Sequence, residues 1–176
     1  MPTSVCSEFI RFHKLPEQLT HKIRNYVEFA FSVTKGINVD SIAEQLPKHL
    51  QLEMHLHLNR KMVEQVRIFA GCPRAFIRAL VVKLQPNICV TGDYVVCSGE
   101  KGNRMYFIRR GVAEVMIAER VINTLREGDY FGEIALLSNQ RRSADVRAVT
   151  DCMLLTLSLA DFEAVLEVCK RSSPPL

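Results

Sequence analysis

The strongest constraint on the fold of this chain is an abrupt change of residue pattern at Asn87. Up to about residue 84, apolar residues recur at intervals of three and four, as expected for helices with one buried face. After Asn87, short runs rich in Val, Ile, Tyr and Met alternate with turn signals at glycines 92, 99, 102, 111 and 128. The pattern predicts an α+β protein in which a helical array precedes an antiparallel β-structure.

Five helical segments are predicted before the change and one after it. Prolines mark the starts of three of them, Pro16, Pro47 and Pro73, because the first turn of a helix does not need the N–H that proline lacks. A short amphipathic segment precedes the first of these prolines. Capping-box patterns at Ser41–Glu44 and Ser158–Asp161 predict the starts of the third helix and of the closing helix.

The β part is predicted to be an antiparallel sandwich or a jelly roll, that is, a β-roll of about eight strands joined mostly by tight turns. We divide the chain into a helical region, residues 1–70, and a β-roll domain, residues 71–176. The predicted strands are 87–90, 93–97, 104–109, 112–118, 120–125, 144–149 and 151–157.

Composition narrows the class of protein. With 48% hydrophobic and 24% charged residues over 176 positions, the chain has the balance of a water-soluble globular protein. The longest uncharged stretches, such as 152–160, are nine residues, half of the roughly twenty that a membrane-spanning helix needs. The first residues lack a basic segment followed by an apolar run, so no secretory signal is predicted and the cytosol is the expected compartment.

The net charge of +4 comes from the helical part. Residues 1–80 contain eleven bases and seven acids, whereas residues 81–176 contain twelve of each. A chain that binds nucleic acid usually has a basic stripe and a more extreme isoelectric point. No nucleic-acid partner is therefore predicted.

Neither a metal site nor a catalytic site is predicted. The six cysteines form no CxxC pair and no zinc spacing, and they are interpreted as reduced thiols that act as small hydrophobes. The five histidines do not form a metal-binding set, since His55 and His57 are two apart and point to different sides of a helix. No HExxH, GxSxG or Walker-type motif occurs, so an enzyme is the least favoured class.

The most unusual segment is residues 131–148, which read FGEIALLSNQRRSADVRA. Gly132 follows a predicted strand and precedes a helix-compatible run, so backbone N–H groups there would face an anion. An arginine beside those donors, Arg141 or Arg142, would pair bidentately with a phosphate. Glu133 would repel a phosphate unless a donor such as a sugar hydroxyl meets it. The set therefore indicates a sugar phosphate such as a nucleotide.

Four segments in this half, GDY, MYFIRRG, FGEIALL and RRSADVRA, resemble the cyclic-nucleotide-binding domain from residue 87 to about residue 168. In that family the phosphate-binding cassette reads FGE, then a small or apolar stretch, then Arg followed by Thr, Ser or Ala. The preceding helices resemble the C-linker that joins such domains to the pore of tetrameric ion channels. The cassette is most similar to hyperpolarisation-activated and cyclic-nucleotide-gated channels, while EFIRFH and LHLNR also resemble the ether-à-go-go potassium channels.

The resemblance implies a role for each cassette residue. Backbone N–H groups at Gly132 would face the cyclic phosphate, Arg142 would bind its oxygens, and Glu133 would bind the ribose 2′-hydroxyl. Ser143 would contact phosphate or base, and Arg141 would lie at the surface because neighbours on a strand point opposite ways. An apolar wall at Val115, Leu125 and Ala135 would surround the purine. The complete set of implied ligand contacts is Gly132, Glu133, Ile134, Ala135, Arg142, Ser143, Ala144, Val115 and Leu125.

The implied ligand is cAMP or cGMP, with no metal and no other cofactor, and the residues do not choose between the two nucleotides. The implied partners are other subunits of a homo- or heterotetrameric cation channel, on the cytoplasmic side of a membrane, with the channel's transmembrane region absent from this chain. In the family a further helix closes over the ligand as a lid. The sequence EVCKRSSPPL ends about where that lid would begin, so weak binding is expected.

Several alternatives compete with this interpretation. In one, Glu133 and Arg142 merely pair with each other. In another, the chain is an interaction domain without a ligand, its pocket is occupied by protein or left vacant, and its helices serve assembly. A transcription regulator of the catabolite-activator type is disfavoured, because about ten residues after the core of the last helix leave no room for a helix-turn-helix. A kinase regulatory subunit would need two tandem rolls or an inhibitor sequence.

Overall fold

The computed structural model describes residues 2–36, 42–43, 45–69, 71–134 and 140–172. Within these ranges the chain is an α+β protein of five α-helices, a short 3₁₀ turn at Arg67–Phe69 and eight antiparallel strands, which confirms the predicted fold class. The helices are α1 (Pro2–Phe12), α2 (Glu17–Thr34), α3 (Lys48–Glu64), α4 (Arg74–Val81) and α5 (Leu159–Ser172). The strands are β1 (Gln85–Cys89), β2 (Tyr94–Val96), β3 (Arg104–Arg110), β4 (Ala113–Ile117), β5 (Arg120–Leu125), β6 (Tyr130–Phe131), β7 (Asp145–Ala148) and β8 (Cys152–Ser158).

Prolines precede α2, α3 and α4 as predicted, but each lies at the N-cap, one residue before the first turn. Pro16, Pro47 and Pro73 have ψ of 145–147°, so helical dihedral angles begin only at the next residue. Their carbonyls accept the first helical hydrogen bonds, as from Thr20 N–H to the Pro16 oxygen at 2.9 Å. The closing helix begins with the predicted capping box, whereas the predicted box at Ser41–Glu44 lies outside the described residues.

Two four-stranded antiparallel sheets form the β-roll. The first has the strand order β1-β8-β3-β6 and the second β2-β7-β4-β5. The seven predicted strands are present, with ends shifted by at most two residues. The eighth strand, β6, lies where a strand was predicted to end before Gly132. No range was predicted for it, because two residues are too few to show a period.

The central strands of the first sheet, β3 and β8, are buried on both faces. Along β3, Met105 and Phe107 pack in a cluster with the helices, and Tyr106 and Ile108 pack in a cluster between the two sheets. Strand β8 alternates in the same way. This alternation is the two-residue period of a strand, and it explains why β3 reads as the unbroken apolar run MYFI.

The cluster on the helical side joins α3, α4 and α5 to the first sheet through the rings of Phe69, Phe76 and Phe162. Helix α2 contacts the roll at two polar places. Lys22 forms an ion pair of 2.6 Å with Asp93, and the Arg110 guanidinium lies 5.9 Å from the centre of the Phe29 ring. These contacts place the helical region against the outer face of the first sheet.

A cavity of about 740 Å³ lies between α2, α3 and the roll. Tyr26, Phe31, Leu58 and Arg109 are among its lining residues, and none of the described residues 131–134 and 140–148 lines it. The cavity is therefore separate from the described part of the segment in which the sequence predicts a site. Among the described helices, none is both long enough and apolar enough to span a membrane.

Candidate functional site

The segment 131–148 begins at the end of β6 and continues into β7. Phe131 is buried, Gly132 has a φ of +80°, and helical geometry begins at Glu133 and Ile134. Residues 135–139 lie outside the described part of the chain, so the predicted cassette helix and Ala135 are not placed. The described chain resumes at Gln140, so the structure describes the predicted site at residues 131–134 and 140–148.

The side chain of Arg142 connects these two ends. Its guanidinium donates a hydrogen bond of 3.3 Å to the Gly132 carbonyl and one of 2.6 Å to the Arg104 carbonyl at the start of β3. It also lies over the Tyr106 ring, 5.9 Å from the ring centre. Since a guanidinium has five N–H donors, the two carbonyls leave others for an anion.

A side chain at position 132 would collide with Arg142, which approaches the Gly132 backbone closely. A Cβ at this position would lie 2.5 Å from Arg142 Nη1 and 3.1 Å from the Arg104 carbonyl oxygen. The φ of +80° would also strain any residue with a Cβ. The glycine of the FGE motif is thus required by two independent features of this structure.

The backbone of Arg142 is held by the turn after β2. Arg142 N–H donates to the Glu100 carbonyl and Gly99 N–H donates to the Arg142 carbonyl, both at 2.8 Å. The adjacent Arg141 is exposed and donates to the Gly99 carbonyl at 2.7 Å. The two arginines have different surroundings, in agreement with the prediction that Arg141 lies at the surface.

The Glu133 carboxylate is half-buried and forms no hydrogen bond or ion pair with any residue that the structure describes. Glu133 and Arg142 therefore do not pair with each other in this structure, in contrast to the alternative considered above. Glu133 directly follows Gly132, whose carbonyl holds the guanidinium, and its carboxylate offers an acceptor for a hydroxyl donor.

Two of the three residues of the predicted apolar wall pack in the cluster between the two sheets. Leu125 on β5 is buried, and Val115 on β4 is half-buried against the same cluster. Tyr106 and Phe131 belong to this cluster too, so the Tyr106 ring connects it to Arg142. Burial raises the pKa of the Tyr106 phenol, and the positive charges of Arg142 and Arg104 partly oppose that rise.

The remaining predicted residues lie at the rim of the site. Ser143 is exposed, Ala144 is half-buried, and Ile134 exposes 52% of its surface. The Ser143 hydroxyl donates no hydrogen bond within the described part of the protein. The contacts predicted for these residues and for Ala135 stay predictions.

Sequence reasoning missed Tyr106, Phe131 and the Arg104 carbonyl as parts of this site. The apolar run MYFI suggested only a buried strand. The two-residue period of a strand could have identified Tyr106, because it places Tyr106 and Phe107 on opposite faces of the sheet. The pairing of Tyr106 with Phe131 across β3 and β6 depends on strand register and could not be obtained from spacing.

This arrangement is suited to an anion that also carries a hydroxyl group. Residues 89–169 match the family model described as the cyclic nucleotide-binding domain. The match covers 81 of the 176 residues and places a cyclic nucleotide-binding domain in the β-roll half of the chain. It confirms the resemblance on which the sequence interpretation relied.

Relatives of known identity include two groups of channels. The chain is 36% identical over 163 residues to the voltage-gated inwardly rectifying potassium channel KCNH6 of Homo sapiens, which covers 92% of this chain and 17% of the relative. It is 38% identical over 160 residues to the potassium/sodium hyperpolarization-activated cyclic nucleotide-gated channel 2 of Mus musculus and to channel 1 of Oryctolagus cuniculus. Each of these two alignments covers 91% of this chain and 18% of the relative. The cyclic nucleotide-binding domain of this chain is therefore homologous to domains of ion channels, and the chain spans about a sixth of their length.

Proposed function

We propose that the chain is a ligand-sensing module that binds cAMP or cGMP and modulates the gating of a tetrameric cation channel. Arg142 binds the oxygens of the cyclic phosphate, and Glu133 accepts a hydrogen bond from the ribose 2′-hydroxyl. The observation that carries the proposal is the Arg142 guanidinium held at the Gly132 carbonyl while the adjacent Glu133 carboxylate has no partner among the described residues.

The chemistry of the two side chains supports a cyclic nucleotide over a bare phosphate. The guanidinium supplies charge-assisted donors to phosphate oxygens. A carboxylate near a bound phosphate is stabilised when it accepts a hydrogen bond from a hydroxyl group, and the ribose of a cyclic nucleotide provides one. The side chains of Val115 and Leu125 supply the apolar surface against which a purine packs.

Coupling to a pore requires that the ligand bind two conformations of the protein with different affinity. The contacts between α2 and the roll, Lys22 with Asp93 and Phe29 with Arg110, are places where such a difference reaches the helical region. The similar proteins are ion channels, which supports other channel subunits as partners and a place on the cytoplasmic side of a membrane. The base preference and the direction of gating are left open by the proposal.

The test is calorimetric titration of the chain with cAMP and with cGMP, comparing wild type with Arg142→Ala. Removing the charge partner of the phosphate costs about 2–5 kcal/mol, so we expect a loss of affinity on the order of thirty- to a few-thousandfold. Arg141→Ala is the matched control, because it removes the same charge from the neighbouring, exposed position. Equal losses in both variants would mean that general electrostatic attraction accounts for binding.

A second candidate function is a domain that serves channel assembly without a ligand. The observation that favours it is the Arg142 guanidinium, which already donates to two backbone carbonyls. No heat with either nucleotide at millimolar concentration would contradict the sensor proposal and support this second function.

A further inference from the structure

Tyr106 occupies a position between the interior of the roll and Arg142. It lies on the face of β3 that packs between the two sheets, and only 8% of its surface is exposed. Its partner in the strand register is Phe131, the residue before Gly132. The two rings are stacked, with centres 5.0 Å apart and planes 14° from parallel.

The Tyr106 ring of this pair also contacts the Arg142 guanidinium. Arg142 Cζ lies 5.9 Å from the centre of the Tyr106 ring, within the distance of a cation–π contact. Phe131, Tyr106 and Arg142 thus follow one another from the apolar cluster to the phosphate-binding position. The Tyr106 hydroxyl forms no hydrogen bond to a described residue, so the contribution of this residue comes from its ring.

We propose that Tyr106 is a positioning residue for Arg142 in nucleotide binding. The Gly132 and Arg104 carbonyls each accept a hydrogen bond from the guanidinium, and the Tyr106 ring is the third group that restricts its position. A guanidinium held in this way before the ligand arrives loses less conformational freedom on binding. The inference depends on the proposed function, because it takes Arg142 as the partner of the phosphate.

The test compares the affinity of Tyr106→Leu and Tyr106→Phe for cAMP and cGMP with that of wild type. Tyr106→Leu removes the ring, and we expect affinity to fall on the order of 3- to 30-fold, the range of a partly desolvated cation–π contact. Tyr106→Phe keeps the ring and should bind as wild type does. In an Arg142→Ala background, Tyr106→Leu should cause no further loss, since the guanidinium that it positions is gone.

Ile108→Ala is the matched control for a merely structural effect. Ile108 lies on the same face of β3 and in the same cluster as Tyr106, so its truncation loosens the same core without removing the ring. We expect this variant to lose stability but to keep its affinity for the nucleotide. An equal loss of affinity in Ile108→Ala and Tyr106→Leu would overturn the inference.

A spectroscopic measurement tests the inference even if Tyr106→Leu does not fold. In wild type, the Nε–H resonance of Arg142, assigned by its loss in Arg142→Ala, should be shifted upfield by the ring current of Tyr106. A resonance at the position of a free arginine would overturn the proposed placement. If wild type binds nucleotide and Tyr106→Leu binds it equally well, Tyr106 has no positioning role although the proposed function stands. If wild type binds neither nucleotide, the proposed function fails and the inference fails with it.

Discussion

At Gly132, backbone conformation and side-chain crowding can be separated by mutation. Gly132→Ala introduces a strained φ and a Cβ at 2.5 Å from Arg142 Nη1. Gly92→Ala introduces the same kind of strain at φ +88° with no atom within 4 Å of the new Cβ. Both variants should lose about 1–2 kcal/mol of stability in urea denaturation.

Only Gly132→Ala should also weaken cyclic nucleotide binding, because it displaces the guanidinium. We expect a loss on the order of tenfold in calorimetric titration, since part of the charge-assisted hydrogen bonding is removed. Unchanged affinity in Gly132→Ala, or the same loss in Gly92→Ala, would contradict the close approach of Arg142 to Gly132.

The role of Glu133 can be tested with the ligand as well as with the protein. Glu133→Ala should lower the affinity for cAMP about 10- to 150-fold, the range for a hydrogen bond of about 1.5–3 kcal/mol to a charged group. With 2′-deoxy-cAMP, which lacks the hydroxyl, wild type and variant should bind equally. If Glu133→Ala lowered the affinity for both ligands equally, Glu133 would not accept a hydrogen bond from the 2′-hydroxyl.

The start of α5 shows how much of an element its local sequence determines. The pattern Ser158–Asp161 predicted a capping box, and the Asp161 N–H does donate to Ser158 Oγ at 3.1 Å. The Ser158 hydroxyl in turn donates to the Asp161 carboxylate, which also pairs with Lys83 at 3.2 Å. The box could be predicted because its partners are three residues apart, whereas the distant Lys83 is supplied by the packing of α4 and α5.

Ser158→Ala should reduce stability by about 1 kcal/mol at pH 7. The hydrogen bond from Ser158, followed by Lys83, lowers the pKa of Asp161 below its ordinary value of 3.8. A carboxylate with a lowered folded-state pKa contributes stability above its unfolded pKa and loses it as the pH falls through the folded value. The difference between wild type and variant, measured in urea denaturation, should therefore shrink as the pH falls below 3.8. A difference that stays constant with pH would contradict the contribution of Asp161 to the cap.

On the scale of the whole molecule, the reactivity of two buried cysteine thiols tests whether the β-roll stays closed. Cys89 on β1 and Cys152 on β8 are partners in the strand register and are both buried in the cluster between the sheets. Burial is the main cause that raises the pKa of Cys89 to about 11, and it also raises the pKa of Cys152. At pH 8 only about 0.1% of a thiol with such a pKa is the reactive thiolate.

We expect iodoacetamide at pH 8 to leave Cys89 and Cys152 unmodified in the native protein and to modify both when urea unfolds it. Cys72, which is half-exposed, serves as the internal control for the reagent. Peptide mass spectrometry identifies each modified site. Modification of Cys89 in the native protein at the rate of Cys72 would show that the roll opens without global unfolding.

The sequence by itself determined the order of helices and strands, the helix starts and the cassette residues, because each depends on neighbours a few positions apart. The two prolines and the capping box that begin α3, α4 and α5 are examples, as is the FGE motif followed by Arg142. Tertiary structure alone decided that Arg142 reaches the Arg104 carbonyl and the Tyr106 ring, 38 and 36 positions earlier in the chain. The physical reason is that such contacts depend on how strands pair and how the two sheets face each other, and no local spacing records either of them.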